Sequence, residues 1–439
     1  MAISRRPSLL MGSTVALAVA LFLAAAVGLD PGSTQRSTPV GSSEARVDPA
    51  AIADSGQLVT TLQARLRSLP KDYRSWSELA LAYVEQGRIT ADPTYYRKAD
   101  LCVARSAALA PHDSVLFAAR ATLAAARHDF AGGLRDADRA LAINRYSAQA
   151  SAIRSDALTE LGHYRAARRE ALRADQLDPG SSTFARLSYQ HELHGDLPGA
   201  IRLMRSAEAA ADARAPSYAY AAFHLGELAR VQGRRSQAAH DYAAALGADP
   251  TYMPAVAGQA RLAVARGDIA TAVLDYRRVV RRLPLTEYVV ELGELYQATG
   301  RPGLARQQWS VALATDRLFR ANGVATDLET ALFQADHGSP AAALTAARAE
   351  WGRRHSIASA DALGWALHAN GRNQAALRYV RMATRLGTPD ARLQYHRGVV
   401  EAELALPTAR TYLRAARRLD GGANPLRDRA IARLLGGTA

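Results

Sequence analysis

The chain has 439 residues, of which 49% are hydrophobic and only 6% aromatic, and it carries a formal net charge of +14. That length exceeds what one hydrophobic core organises, and an alanine-rich apolar share suits closely packed helices better than a sheet. The positive charge is nearly all arginine, scattered over the outward faces of predicted helices rather than clustered with stacking aromatics, which argues for solvated faces and against a nucleic-acid footprint.

Residues 1–9, MAISRRPSL, hold Arg5 and Arg6 and no acid, and read as a cytoplasmic n-region. The uncharged run from Leu9 to Leu29 meets the roughly 20 residues that a bilayer crossing needs and predicts a transmembrane signal-anchor over residues 10–29. Arginines before the run and none directly after it place the remainder outside the cytoplasm, giving a single-pass protein of the cytoplasmic membrane. The alternative is a signal peptide cleaved near Ala24-Ala25-Ala26 and a secreted chain. Residues 30–54 are rich in Pro, Gly, Ser and Thr and read as a flexible linker. From Gln57 the period becomes helical: Leu58, Leu62, Leu66 and Leu69 form a stripe that stops at Pro70, read as a lone second helix capping a helical array. Cys102, the only cysteine, excludes an intrachain disulfide and any Cys-based metal site within one chain, and is expected as a buried core thiol.

A repeat then sets in. Ala167, Ala200, Ala238, Ala272, Ala305, Ala343, Ala376 and Ala409 are spaced by 33, 38, 34, 33, 38, 33 and 33 residues. Positions four and seven further on are apolar throughout, with Glu350 the exception, and turn glycines keep step at Gly162, Gly195, Gly233, Gly267, Gly300, Gly338 and Gly371. In the stretch from Glu291 to Leu313, Leu292 and Tyr296 form one stripe and Ala305, Trp309 and Ala312 a second, folded together about Gly300, with Gly293 admitting a neighbouring helix. The first unit carries an insertion after Gly87, and the two 38-residue spacings place extra residues around Ala213 to Tyr218 and Phe319 to Ala325. Pro425 starts a terminal capping helix whose apolar side is Leu426, Ala430, Leu434 and Leu435.

Trp76, Leu79, Ala80 and Tyr83, then Leu225, Gly226, Ala238, Tyr242 and Pro250, then Leu363, Gly364 and Ala376 carry a pattern that resembles the tetratricopeptide repeat. The resemblance covers about Tyr73 to Pro425. It implies an all-α, right-handed solenoid of about ten stacked helix-turn-helix repeats over residues 55–425, with residues 426–439 as capping helix and tail. The stretch LQARLRSLPKDYRSWSELALAYVEQG is also similar to the first repeat of membrane-anchored apocytochrome chaperones, which implies help in envelope protein assembly.

No phosphate-cradling loop, GxSxG elbow, HExxH or Cys pair is present, so no catalytic residue, cofactor or metal is expected. His191 and His194 stand at i and i+3 rather than i and i+4, and His128, His163, His194 and His337 fall at turns, where polarity explains them. The expected function is therefore a non-enzymatic, membrane-anchored scaffold that binds a protein or peptide partner. The alternative is a binder of anionic envelope polymer, membrane surface or nucleic acid through the arginine-rich surface, nucleic acid being the least favoured. In the family the resemblance names, first helices line a concave groove. The facing positions here are Tyr189, Tyr220, Phe223, Glu227, Arg230, Arg261, Glu294, Gln297, Asp361, Trp365 and His368. Tyr220, Phe223 and Trp365 are the expected anchors, because aromatics concentrate binding energy; packing against adjacent repeats is the competing role.

Overall fold

The computed structural model describes residues 55–436, and among these all regular structure is helical. Helix α1 (Ser55–Ser68) stands alone. The first hairpins pair α2 (Tyr73–Thr90) with α3 (Thr94–Leu109), α4 (Ser114–Ala126) with α5 (Phe130–Ile143), α6 (Ala148–Glu160) with α7 (Tyr164–Leu177), and α8 (Ser181–Leu193) with α9 (Leu197–Ala209). The middle of the array pairs α10 (Pro216–Val231) with α11 (Arg235–Ala248), α12 (Met253–Arg266) with α13 (Ile269–Arg282), and α14 (Thr286–Ala298) with α15 (Pro302–Ala321). Then come α16 (Asp327–His337) with α17 (Pro340–Arg353), α18 (Ile357–Ala369) with α19 (Asn373–Ala383), α20 (Ala391–Glu403) with α21 (Ala409–Asp420), and the terminal α22 (Pro425–Leu434).

The small-residue register is what lets each hairpin close. All eight alanines of the spaced series are buried against their partner helices. Gly293 shows why no side chain is tolerated opposite them: a Cβ there would lie 2.3 Å from Cζ3 of Trp309, whose ring rests on the α14 backbone. Gly293→Ala forces overpacking, and a loss of about 1–3 kcal/mol is expected in urea titrations. In most hairpins the chain reverses at a left-handed residue, and in some of them a capping aspartate follows, as in Gly195-Asp196 and Gly267-Asp268, where Asp196 and Asp268 accept from the N–H groups of Gly199 and Thr271. His128 takes the left-handed turn position before Asp129, where the sequence has no glycine.

Four details correct or complete the sequence reading. Leu69 is 50% exposed, because α1 ends at Ser68 before the stripe is complete. The insertion after Gly87 begins as helix: α2 continues to Thr90, since nothing stops it before Asp92-Pro93, and Gly87 packs on the ring of Tyr96. Gly338 has φ near −136° and is not left-handed like the other turn glycines. Glu350, the one polar break in the apolar series, is buried and paired with Arg353 and Arg354.

The array also folds back on itself. His128 Nδ1 meets the Ala325 carbonyl at 2.7 Å, Arg354 pairs with Glu160, the Ile357 N–H donates to Tyr164 Oη at 2.8 Å, and Thr388 Oγ1 donates to the Leu193 carbonyl at 2.6 Å. These partners lie 197, 194, 193 and 195 residues apart. A nearly constant offset means that one superhelical turn of hairpins is seated on the turn before it. Gly162 is the point of closest approach: its φ is +85°, and a Cβ would fall 2.5 Å from the His355 carbonyl oxygen. Helix α22 leaves this stacking and docks on α14, where Arg429 donates to the Ala298 carbonyl at 2.7 Å.

The run from Leu9 to Leu29 and the linker at residues 30–54 lie outside the described residues. Among the described residues no helix is long and apolar enough to cross a membrane.

Candidate functional site

First helices of successive hairpins face inward and are joined by buried polar rungs. Asp156 of α6 pairs with Arg186 of α8 at 3.1 Å. Arg261 of α12 reaches Glu291 of α14 at 2.9 Å and Glu227 of α10 at 3.6 Å. Glu294 of α14 meets His337 of α16 at 2.9 Å, and Asp336 of α16 accepts from the Trp365 indole of α18 at 2.7 Å. Asp361 of α18 holds Arg392 at 3.1 Å and His396 at 2.9 Å, both from α20, and the His396 ring stacks on Trp365 with centroids 3.9 Å apart.

These rungs decide the fate of the groove positions. Tyr220 and Phe223 are buried in the core that α9, α10 and α11 build, and Trp365 is buried among Asp336, His368 and His396. Arg261, Glu294 and Asp361 are buried as well, Glu294 being covered further by Asn424, whose amide donates to it at 2.8 Å. None of these six is an exposed groove contact as the sequence suggested. A polar stripe on one repeat reads as solvated when that repeat is considered alone, but here neighbouring first helices and the next superhelical turn supply its partners. Tyr189, Glu227, Arg230, Gln297 and His368 remain half-buried. The turn histidines do not converge: His128 is bonded to Ala325, His194 to the Gln190 carbonyl, and His337 to Glu294. Cys102 is buried, and burial pushes its thiol up to about 12.

Tyr189, Glu227, Arg230, Arg261 and Glu294 all border a cavity of about 200 Å³ between the concave faces of α6 to α14 and the joints of the later repeats around Ser356–Ala358, Thr388–Leu393 and Leu419–Pro425. Carboxyl groups outnumber basic ones in its wall. Glu160, Glu227, Glu291, Glu294 and Asp420 each have a basic partner. Glu192 and Glu287 have no ion-pair partner among the described residues. Oε1 of Glu287 and Oε2 of Glu291 are buried without a hydrogen-bond partner. Sequence reasoning missed Glu192 and Glu287, and the only available signal was that both sit on first helices with no arginine one turn away.

Electrostatics divides the wall. Burial works against ionisation of Glu227, but Arg230 and Arg261, with hydrogen bonds from Arg230 and Tyr242, draw it down to about 2. Burial lifts Glu192 to about 7, reinforced by the charges of Glu227 and Asp390, and lifts Glu287 to about 8 against the pull of Arg261. Burial lowers His224, beside them, to about 4, so it is neutral at pH 7. A carboxyl whose folded value is raised contributes stability that is complete below its unfolded value and is lost as pH rises through the folded one. The buried histidines act in the opposite sense only below their unfolded value of 6.5. The protein should thus be less stable at pH 9 than at pH 6.5, and Glu287→Gln should flatten that decline in urea titrations at the two pH values.

No protein-family model matches the chain, and no curated protein does. Solved structures similar to it include the human IFIT1 dimer with PPP-AAAA, at 15% identity and a TM-score of 0.46, covering 83% of this chain and 87% of that one. Another is PilF of Pseudomonas aeruginosa, at 19% identity and a TM-score of 0.37, covering 49% and 95%. A tetratricopeptide repeat protein of Parabacteroides merdae matches at 18% identity and a TM-score of 0.32, covering 58% and 97%. By its own hairpin register and buried small-residue seams, the fold of this chain is tetratricopeptide-like.

Proposed function

We propose that the chain is a non-enzymatic scaffold that holds a partner protein against its concave face, tethered to the cytoplasmic membrane through residues 10–29 with the repeats outside the cytoplasm. The observation that carries this reading is the convergence of half-buried Tyr189, Glu192, Glu227 and Arg230 on a cavity that the array's own packing leaves unfilled. Tyrosine and arginine at the mouth of a concavity are residue types that concentrate binding energy. Help in envelope protein assembly is the narrower form of the reading, supported by the likeness of the first repeat to membrane-anchored apocytochrome chaperones. A photo-crosslinking residue placed at Tyr189 in living cells should trap one protein species. The same residue at exposed Arg169 on the outward side of α7 should not. Equal labelling from both positions would refute the reading. Protease added outside protoplasts should reach the repeats, and full protection would refute the orientation.

A second reading is favoured by an arginine-lined cleft of about 770 Å³, where Arg234 and Arg235 face Arg417 and Arg418 across the stacked superhelical turns. An anionic polymer seated there would be lost steeply with added salt. Capture of a single protein at high salt would count against it.

A further inference from the structure

We propose that the cavity on the concave face is a receptor for one organic cation, an alkylammonium or guanidinium group. This deepens the reading of the concave face as a binding surface. The protein as a whole is strongly basic, yet the wall of this cavity carries eight acidic residues against two guanidinium groups: Arg230 pairs with Glu227, and Arg261 with Glu291 and, at 3.6 Å, Glu227, its Nη1 keeping no hydrogen bond. What remains are the carboxyls of Glu192 and Glu287, which have no ion-pair partner among the described residues and would ionise beside a bound cation. Glu287 and Glu291 are only 5% and 7% exposed, border the cavity, and each keeps one carboxylate oxygen without a hydrogen-bond partner. A buried acceptor left unpaired is costly, so a ligand bringing N–H donors and positive charge gains what the empty wall lacks.

The shape agrees with the charge. About 200 Å³ exceeds the ~150 Å³ that accommodates a benzene-sized molecule and fits a short chain ending in a guanidinium or ammonium group. Tyr189 and Tyr276 also line the cavity, and aromatic side chains are partners for such a cation. Glu192, Glu227 and Asp390 are half-buried and give the cavity a mouth, while Glu287, Glu291 and Arg261 form its floor. Among the described residues no three His, Cys, Asp or Glu side chains are grouped closely enough to hold a metal ion, so the wall suits a cation whose charge is spread over several donors. Burial holds Glu287 and Glu192 partly protonated near neutrality; Arg261, Glu291, Tyr288 and Glu227 face the first and Glu227, Asp390 and Arg230 the second. Cation binding therefore expels protons and strengthens as pH rises from 6 to 8.5.

The test is titration calorimetry of the full chain with agmatine, putrescine and a capped Gly-Arg-Gly peptide, with 1,4-butanediol as the neutral analogue, repeated in two buffers of different ionisation enthalpy. Saturable binding of at least one cation, none of butanediol, and buffer-dependent heats that report proton release are expected. Glu287→Gln and Glu192→Gln should each weaken binding by roughly tenfold or more, as when one member of a desolvated ion pair is neutralised. Circular dichroism melting of both variants at pH 7 shows that they remain folded. Binding of the peptide alone assigns the cation to a partner chain, and binding of the free amines alone assigns it to a small molecule. Absence of saturable heat with every cation, or binding indifferent to both substitutions, overturns the proposal. Trapping of a protein through Tyr189 would still stand in that case, so failure here and failure of the scaffold reading are separable.

Discussion

Asp361→Ala is expected to cost about 3–5 kcal/mol, the usual penalty for leaving a buried charge without its partner. Arg392 is fully buried, and among the described residues its one ion pair is with Asp361 at 3.1 Å. The same carboxylate holds His396, which stacks on Trp365 and through it touches the Asp336 rung. Because a solenoid's stability is a sum of local units and nearest-neighbour interfaces, the loss should be concentrated in α18 to α20 rather than spread over the array. Site-resolved hydrogen exchange would show it as lost protection there while α2 to α7 keep theirs. An Asp361→Leu, Arg392→Met double variant should recover most of the loss, since an apolar pair of similar volume replaces a buried ion pair at little cost.

Arg354→Ala is the second large effect, and its consequences are longer in range. Arg354 is 3% exposed, bonds both Glu350 within its own repeat and Glu160 on the preceding superhelical turn, and its guanidinium lies 4.7 Å from the centre of the Phe130 ring. Removing it strands the buried Glu160 carboxylate and leaves Glu350 with Arg353 alone, again a loss of about 3–5 kcal/mol. Burial already raises the Glu160 carboxyl despite Arg354. Without the arginine Glu160 rises further and Glu350, which Arg354 and Arg353 hold low, loses part of that pull, so the variant must bury more uncompensated charge at pH 8 than at pH 5. The deficit in urea titrations should be larger at pH 8 than at pH 5. Exchange should quicken on both sides of the contact, at the end of α6 and the start of α18, about 194 residues apart in sequence.

The hairpins were legible because they are local. Ala167 to Ala409 recur at the period of one hairpin, and each meets its partner helix within a few tens of residues, so spacing alone identifies the seam. Gly293 and Trp309 belong to the same class. Stacking of one superhelical turn on another was not legible, because it depends on small rotations between hairpins that add up over the whole array. Gly162 and Gly195 look like any other turn glycines in the sequence, yet they let the carbonyls of His355 and Gly387 approach closely. Glu350 was the one visible anomaly, and it marks the Arg354 clasp. Groove residues suffered most from this limit: Glu294 and Asp361 are ordinary helix-face acids by pattern, and only the assembled superhelix shows that His337, Asn424, Arg392 and His396 cover them.

Whether the superhelix closes over its own concave face can be read from one distance. Ser236 on α11 and Arg418 on α21 are exposed and border the same cleft, although four whole hairpins separate theirs along the chain. Cysteines introduced at these two positions in a Cys102→Ala background, spin-labelled and measured by pulsed electron paramagnetic resonance, should give a single short distance with a narrow distribution. A broad distribution centred several nanometres out would mean an open solenoid, and with it no acidic cavity.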